Sequence, residues 1–204
     1  GNEAPGGVVR VDNGRVTGAA VREAGRDIAG QAARAAGILS RIRGFSRKRA
    51  TVRERRVLAE LVRETVVLFL GMLSNRPEIR VDEGTAANCA VEVDPLQIQQ
   101  IMLNLLKNGL DAMQDLPDDL RRLDIVLRPD KGTLHVAVRD YGRGLAPEAR
   151  EHLFEPFFTT KPDGLGLGLS ICTTIIEAHG GHLSAQPPAE GPGLVFTFTL
   201  PIHD

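Results

Sequence analysis

Two asparagines lie four residues apart in the segment NLLKN, at Asn104 and Asn108, where the apolar spacing predicts a helix. Residues four apart share one face of a helix, so both carboxamides are expected to point in the same direction. Neutral amide oxygens can bind hydrated Mg²⁺ without adding negative charge beside a triphosphate. The alternative is a pair of solvent-exposed asparagines. However, Asn104 stands among leucines, and an amide in apolar surroundings costs free energy unless it has a partner.

A second candidate is the segment DYGRG, in which Asp140 ends a predicted strand and Gly142 and Gly144 follow. A carboxylate at a strand end can accept a hydrogen bond from an exocyclic amine such as N6 of adenine. The two glycines allow the backbone to approach a flat base closely. Taken alone, the same residues are also typical of a plain turn at the end of a strand.

The segment FEPFFTTK concentrates aromatic, hydroxyl and ammonium groups in a predicted loop. These groups belong to Phe154, Phe157, Phe158, Thr159, Thr160 and Lys161. The aromatic cluster predicts a hydrophobic staple that pins the loop to the core. We interpret the staple as the hinge of a lid that brings the hydroxyls and the ammonium group near phosphate. The alternative is a staple with a structural role only.

Three glycines alternate with leucines in GLGLGLSI, at Gly164, Gly166 and Gly168, and a predicted helix follows them. Glycines at this place leave backbone N–H groups accessible at the positive end of the helix, which favours an anion. The spacing differs from the G-x-x-x-x-G-K-[ST] pattern of a P-loop, and no β-α-β unit surrounds it as in a Rossmann fold. We therefore expect this glycine ladder to close the phosphate end of a lid that begins near Gly144.

These candidate residues need a scaffold of helices and strands. Asp94 is the predicted N-cap of the asparagine helix and Pro95 its first residue. Residues 49–56 are predicted to form a charged linker. The other predicted ranges are helices over 57–73, 95–116 and 169–181, strands over 78–84 and 89–94, and hairpins over 122–142 and 182–202. Antiparallel strands with helices on one face predict an α+β fold, an α/β sandwich.

A heptad pattern upstream of this sandwich predicts one long helix from Thr17 to about Lys48. The apolar residues that repeat there include Val21, Ile28, Ala35 and Ile42. One amphipathic helix of this length cannot bury its apolar seam alone, so partner helices are expected. The predicted domains are therefore a helical segment over 1–50 and a sandwich over 51–204.

Composition narrows the classes of function. The net charge of −1 argues against a nucleic-acid binder. Basic residues exceed acidic ones over 22–56, which we interpret as a solvated helix face and linker; a phosphate, acidic or membrane-facing surface is the alternative. Cys89 and Cys172 lack zinc or disulfide spacing, which favours a reducing compartment. No signal-peptide pattern or membrane-length apolar run occurs, so a cytoplasmic chain is expected, with a membrane anchor left open for a longer protein.

Taken in order, the four segments resemble the N, G1, F and G2 boxes of bacterial sensor histidine kinases, over roughly residues 17–202. FEPFFTTK, GLGLGLSI and IEAHGG are similar to the subgroup of oxygen and nitrogen sensors. The resemblance implies the ATP-binding fold that these kinases share with the gyrase, Hsp90 and MutL ATPases, and it implies ATP and Mg²⁺ as cofactors. Tyr141 departs from the family pattern, in which Asn or Thr is commoner, but its side chain is not the implied adenine ligand.

The resemblance also implies roles for individual residues. Asn108 would coordinate Mg²⁺ and Asn104 would line the same site, while Lys107 would complete the catalytic set as a phosphate contact. Asp140 would bind adenine. The other implied nucleotide contacts are Gly142, Gly144, Thr159, Thr160, Lys161, Gly164, Leu165, Gly166, Leu167, Gly168 and Leu169.

The same resemblance makes residues 17–48 similar to the second helix of the dimeric hairpin that carries the phosphate-accepting histidine. No histidine precedes His135, so the acceptor helix is absent from this sequence. The implied reaction passes the ATP γ-phosphoryl group to a histidine on a separate helix and then to an aspartate of a response regulator. We expect no autophosphorylation by the isolated chain, and a homodimer through the heptad helix in the full-length protein. His179 is interpreted as a cap that complements a helix dipole.

Three other functions use similar residues. A serine kinase of the anti-sigma type has the same ATP fold but does not need a heptad helix before it. A gyrase- or MutL-like ATPase normally has a catalytic Glu where Asn104 stands, and a longer lid. A dimerisation or scaffold module with a vestigial ATP site is the third alternative, and the presence of residues in all four boxes argues against it.

Overall fold

The computed structural model describes residues 52–161 and 164–202. The predicted heptad helix and the predicted boundary between residues 50 and 51 lie outside the described residues. The described helices and strands are, in chain order, β1 (Glu54–Val57), α1 (Leu58–Gly71), β2 (Glu78–Asp82), β3 (Ala90–Val93), α2 (Pro95–Ala112), β4 (Arg122–Asp130), β5 (Thr133–Asp140), α3 (Pro147–Glu151), α4 (Gly168–Ala178), β6 (Leu183–Gln186) and β7 (Val195–Pro201).

Five of these strands form one mixed sheet in the order β2-β4-β5-β7-β6, and β1 pairs with β3 in a separate ribbon. The two predicted hairpins are confirmed, because β4 pairs antiparallel with β5 and β6 pairs antiparallel with β7. In the first hairpin Leu123 lies opposite Asp140. Asp140, the last residue of β5, therefore pairs with β4 in the middle of the sheet.

Alternation along the strands separates a buried face from a partly exposed one. On β4 and β5 the buried positions carry Leu123, Ile125, Leu127, Leu134, Val136 and Val138. Helix α2 packs on β4 and β5, and α4 packs on β6 and β7. Each fully buried aliphatic side chain stabilises the fold by roughly 1.5–3 kcal/mol relative to exposure. The predicted α/β sandwich with helices on one face of the sheet is confirmed.

The start of α2 follows from its local sequence. The Asp94 carboxylate accepts hydrogen bonds from the backbone N–H groups of Leu96, at 3.1 Å, and Gln97, at 3.4 Å. Pro95 stands in the first turn, where its missing N–H group leaves no partner unsatisfied. The predicted N-cap is thus confirmed, although the helix ends at Ala112, four residues before the predicted end.

His179 is a cap at the end of α4. Its side chain is 4% exposed; Nδ1 donates to the Ile175 carbonyl at 2.8 Å, and Nε2 accepts from the Asp94 N–H at 3.0 Å. His179 thus caps a carbonyl in the last turn of α4 and also joins α4 to the start of α2.

Two predictions about the strands are wrong. Residues 49–56, expected as a linker, include β1, which pairs antiparallel with β3 from Glu54 opposite Val93 to Val57 opposite Ala90. The sheet is also not wholly antiparallel, because β2 runs parallel to β4. Helix α2 lies between these two strands in the chain, and a crossover of this kind allows parallel pairing.

Replacing Gly181 by Ala is expected to destabilise the sandwich. A Cβ at this position would lie 1.8 Å from the backbone oxygen of Thr199, so α4 and β7 would have to separate. Overpacking of this kind costs about 1–3 kcal/mol, which a lower urea midpoint would report. Gly71→Ala is the matched control, since a Cβ there has no neighbour within 4 Å and Ala favours the helix. Equal midpoints for the two variants would contradict the prediction.

Candidate functional site

One face of α2 carries the polar residues of the candidate site. Asn104 and Asn108 lie on this face, as predicted, and Asp111 continues it three residues later. All three side chains are partly buried. Sequence reasoning missed Asp111, although its position seven residues after Asn104 is the helical spacing that could have found it. The face therefore presents two carboxamides and one carboxylate.

Asn104 is held against α4. Its Nδ2 donates to the Cys172 sulfur at 3.3 Å, and a Cβ on Gly168 would lie 2.6 Å from its Oδ1. Burial raises the pKa of the Cys172 thiol to about 11, so the sulfur stays protonated and uncharged at neutral pH. The absence of a side chain at Gly168 thus brings the first turn of α4 against the Asn104 carboxamide, where the positive end of a helix favours an anion.

Asp140 ends β5 and is buried, with 3% of its surface exposed. Its Oδ1 accepts the Gly142 N–H at 2.9 Å. Burial raises the pKa of this carboxyl above its usual value, although the backbone hydrogen bonds oppose the shift. A Cβ on Gly142 would lie 2.4 Å from the Ala112 carbonyl oxygen, and Gly144 has a φ of +69°. Both predicted glycines are therefore required by the backbone path that follows Asp140.

Gly109, which the sequence analysis missed, sets the distance between α2 and Asp140. A Cβ at Gly109 would lie 2.6 Å from Leu123 Cδ2 and 3.2 Å from Asp140 Cβ. Since Asn108 directly precedes this glycine, the asparagine face and the buried carboxylate belong to one tightly packed unit. No local pattern in the sequence identifies such a contact, because it joins a helix to strands.

The Tyr141 side chain lies on the face of the sheet opposite to that of Asp140, as strand alternation requires. Its ring stacks with the guanidinium groups of Arg122, at 4.6 Å, and Arg139, at 4.4 Å. Its hydroxyl donates to the Asp124 carboxylate at 2.5 Å. Burial and this hydrogen bond raise the pKa of Tyr141. The departure from the family pattern is therefore accommodated on the other face of the sheet.

The aromatic staple is only partly as predicted. Phe154 packs against the core, but Phe157 is 75% exposed and has a φ of +69°. The Phe157 N–H donates to the Gly166 carbonyl at 3.0 Å, and a Cβ on Gly166 would lie 2.3 Å from the Phe157 carbonyl carbon. The backbone contact between Phe157 and the glycine ladder holds this loop, so the Phe157 ring does not act as a staple. The short helix α3 within the predicted lid was also not expected.

The end of FEPFFTTK reaches the asparagine face through one side chain. Lys161 Nζ donates to Asn108 Oδ1 at 2.9 Å and to Asp111 Oδ2 at 2.7 Å. The Lys161 N–H donates to Thr159 Oγ1 at 3.1 Å. Thr159 and Thr160 are exposed, as is Lys107 on α2. The structure therefore brings Lys161 to the predicted site and leaves the other three side chains at its surface.

The described residues contain no group of three or more His, Cys, Asp or Glu side chains that could hold a metal ion. The oxygens of Asn108 and Asp111 nevertheless share one cation, the Lys161 ammonium. Oxygen ligands of this kind fit Mg²⁺, which keeps several waters and takes one or two protein ligands beside phosphate oxygens. The residues present thus fit a metal that arrives with a nucleotide.

Replacing Asp140 by Asn is expected to stabilise the fold at pH 7. The raised pKa means that the native carboxyl binds its proton more tightly than the unfolded one, so its ionised form destabilises the native state. This penalty disappears as the pH falls through the native pKa towards the ordinary value near 4. Urea midpoints should therefore differ at pH 7 and converge in acid. Asp130→Asn, at the exposed β4–β5 turn, is the control; a pH-independent gain in Asp140→Asn would contradict the assignment.

Known proteins share both the sequence and the fold of this chain. Residues 93–204 match the family described as histidine kinase-, DNA gyrase B- and HSP90-like ATPase. The sensor protein TdiS of Thauera aromatica is 39% identical over 81% of this chain and 30% of its own length. The sensor protein FixL of Bradyrhizobium diazoefficiens is 37% identical over 85% of this chain and 34% of its own. The chain thus spans about a third of the length of these relatives.

Solved structures of histidine kinases are similar to this fold. The catalytic domain of histidine kinase ThkA matches with a TM-score of 0.63 and 33% identity, over 73% of this chain and 95% of that one. ThkA in complex with the response regulator protein TrrA matches with a TM-score of 0.67 and 29% identity, over 86% of this chain and 49% of that one. None of the helices in the described ranges is long and apolar enough to span a membrane. The chain belongs to the family of histidine kinase-, DNA gyrase B- and HSP90-like ATPases, and its described part is the catalytic domain of a sensor histidine kinase.

Proposed function

We propose that this domain binds Mg²⁺-ATP and transfers the γ-phosphoryl group to a histidine on a separate helix, for relay to a response regulator aspartate. The observation that carries the proposal is the buried Asp140 carboxylate, which α2 packs against through Gly109. An ionised side chain in such a place is costly without a partner. The Gly142 N–H offsets part of this cost, and a ligand that donates a further hydrogen bond to the carboxylate would offset more of it.

Adenine is the ligand that fits this end of the site. Asp140 Oδ1 is already bonded to the Gly142 N–H, which fixes the orientation of the carboxylate before a ligand arrives. The exocyclic amine of adenine is a hydrogen-bond donor and would bind to this carboxylate. Gly142 and Gly144 carry no side chain that would keep the flat base away from the backbone.

The phosphates would lie towards the asparagine face and the glycine ladder. Asn108 would hold the metal, with Asn104 beside it, and Mg²⁺ would neutralise charge that develops on the phosphate oxygens during transfer. The N–H groups at the start of α4, where Gly168 packs against Asn104, would stabilise negative charge without reorganising. The further proposed nucleotide contacts are Lys107, Thr159, Thr160, Lys161, Gly164, Leu165, Gly166, Leu167, Gly168 and Leu169.

Chemistry at the acceptor would be supplied by another segment. The first histidine in this sequence is His135, which lies on β5. The residues with the heptad pattern, near the start of the sequence, include no histidine. Positioning and electrostatic stabilisation therefore form the contribution of this domain, as is usual in phosphoryl transfer. We further propose dimerisation through residues 17–48 in the whole protein, a receiver domain as partner, and a cytoplasmic location for this domain.

Nucleotide binding is the first test of the proposal. In calorimetric titrations with a non-hydrolysable ATP analogue, the wild-type chain should bind more tightly with Mg²⁺ than without it. Asp140→Asn should bind about 10- to 100-fold more weakly, the loss expected for one hydrogen bond to a charged group. Asn108→Ala should bind the metal-free analogue as tightly as the wild type does, but Mg²⁺ should no longer increase its affinity.

The controls separate binding from folding. Asn88→Ala, at an exposed turn, should behave as the wild type. Asp140→Asn is expected to be at least as stable as the wild type at pH 7, so its weaker binding would not reflect unfolding. A folded wild-type chain that binds no nucleotide would refute the ATP site and leave a dimerisation or scaffold module.

Phosphotransfer should be detectable with an acceptor supplied in trans. With γ-labelled ATP and the histidine-bearing hairpin of a relative, label should move to the hairpin, whereas the chain alone should stay unlabelled. A phosphoramidate is labile in acid and stable in base, so the label should be lost in acid. A hairpin with His replaced by Gln is the control. Acid-stable label on the hairpin would instead support the serine-kinase alternative.

A further inference from the structure

The Lys161 ammonium occupies the oxygens of α2 that the proposed function needs for a metal. Nζ lies 2.9 Å from Asn108 Oδ1 and 2.7 Å from Asp111 Oδ2. Both oxygens accept hydrogen bonds only, and they lie on adjacent turns of one helix face. An ammonium group is a compact positive charge, so it satisfies these oxygens in the way a metal cation does.

This contact ties the last part of the loop to the helix. The Lys161 backbone N–H bonds to Thr159 Oγ1, and its carbonyl accepts the Gly164 N–H at 3.1 Å. Lys161 is therefore bonded through its backbone to Thr159 and Gly164, and through its side chain to α2. The state of one lysine is thus linked to the order of the proposed phosphate-binding loop.

We propose that Lys161 is an internal counter-cation that excludes the metal from Asn108 and Asp111, so that metal–nucleotide binding releases the loop from α2. The proposal rests on the proposed function, because it requires that a nucleotide bring Mg²⁺ to Asn108. In the free chain Lys161 holds the loop against α2. In the complex the metal holds Asn108, and Lys161 leaves both oxygens.

Asp111 is the positioning residue for this exchange. Without its carboxylate, Lys161 keeps only a neutral carboxamide as its partner, and the attraction falls accordingly. The Lys161 and Asp111 side chains are 39% and 35% exposed. Ion pairs with this exposure are weak, and their coupling in double-mutant cycles amounts to about two- to fivefold in an equilibrium constant. A weak contact suits a group that must leave at every round of nucleotide binding.

A double-mutant cycle on the whole chain tests the contact. The variants are Lys161→Met, Asp111→Asn and the double variant, and the readout is amide exchange of the peptide over 157–168, followed by mass spectrometry. In the nucleotide-free chain each single variant should exchange about two- to fivefold faster, and the double variant no faster than Lys161→Met, which already removes both contacts. Lys131→Met and Asp130→Asn, at the β4–β5 turn, should leave exchange unchanged. Additive effects of the two substitutions would overturn the proposal.

The same cycle with ligand tests whether Lys161 and the metal exclude each other from Asn108 and Asp111. With a saturating non-hydrolysable ATP analogue in EDTA, the coupling between residues 111 and 161 should persist. With the same analogue and Mg²⁺, the coupling should vanish. Persistence in Mg²⁺ would overturn the proposal, and so would loss with the analogue alone, since the phosphates and not the metal would then take Lys161.

Failure of the proposed function would look different. A folded chain that binds no analogue in calorimetry would overturn the ATP site and, with it, the release step. The cycle in the free chain would still decide whether Lys161 and Asp111 hold the loop, because it involves no ligand.

Discussion

Helix α2 lies directly on the end of strand β5 because Gly109 has no side chain to separate them. A Cβ there would lie 2.6 Å from Leu123 Cδ2 and 3.2 Å from Asp140 Cβ. Asn108 precedes this contact and Asp140 forms part of it, so one close approach sets the distance between the two halves of the site. Gly142 makes the second such contact, against the last turn of α2. Side chains at either position would push the carboxylate away from the asparagine face.

The same packing buries the Asp140 carboxylate, which lowers the stability of the fold. A carboxylate with 3% exposure loses most of its hydration, and the Gly142 N–H replaces only part of it. A neutral residue of the same shape would stabilise the native state at pH 7. The free energy of unfolding is therefore lowered by the residue that the proposed ligand would bind. Such a trade-off between function and stability is common in active sites.

Features with local causes could be predicted from the sequence, and features with distant causes could not. Asp94 before Pro95 predicted the start of α2, and the turn residues PDKG at 129–132 predicted the hairpin of β4 and β5. Strand β1 is different, because the residues ERRV have no strand pattern and owe their conformation to pairing with β3. In the site, the spacing of the motifs predicted the shared helix face of Asn104 and Asn108 and the position of Asp140 at the end of β5. The contact of Lys161 with Asp111 joins positions 50 apart, so no spacing rule could reveal it.

The helices that carry the site also share a connection to the beginning of the described chain. The Val52 N–H donates to the Asp94 carboxylate at 3.3 Å, and the Arg53 guanidinium donates to the Ala178 carbonyl at the end of α4. His179 joins the same two helix ends through the Asp94 N–H. Residues 52 and 53 therefore contact both the helix that holds the asparagines and the helix that begins at the glycine ladder. These contacts lie at the ends of α2 and α4 that are away from their site residues, and they are made by the Val52 backbone and the Arg53 side chain.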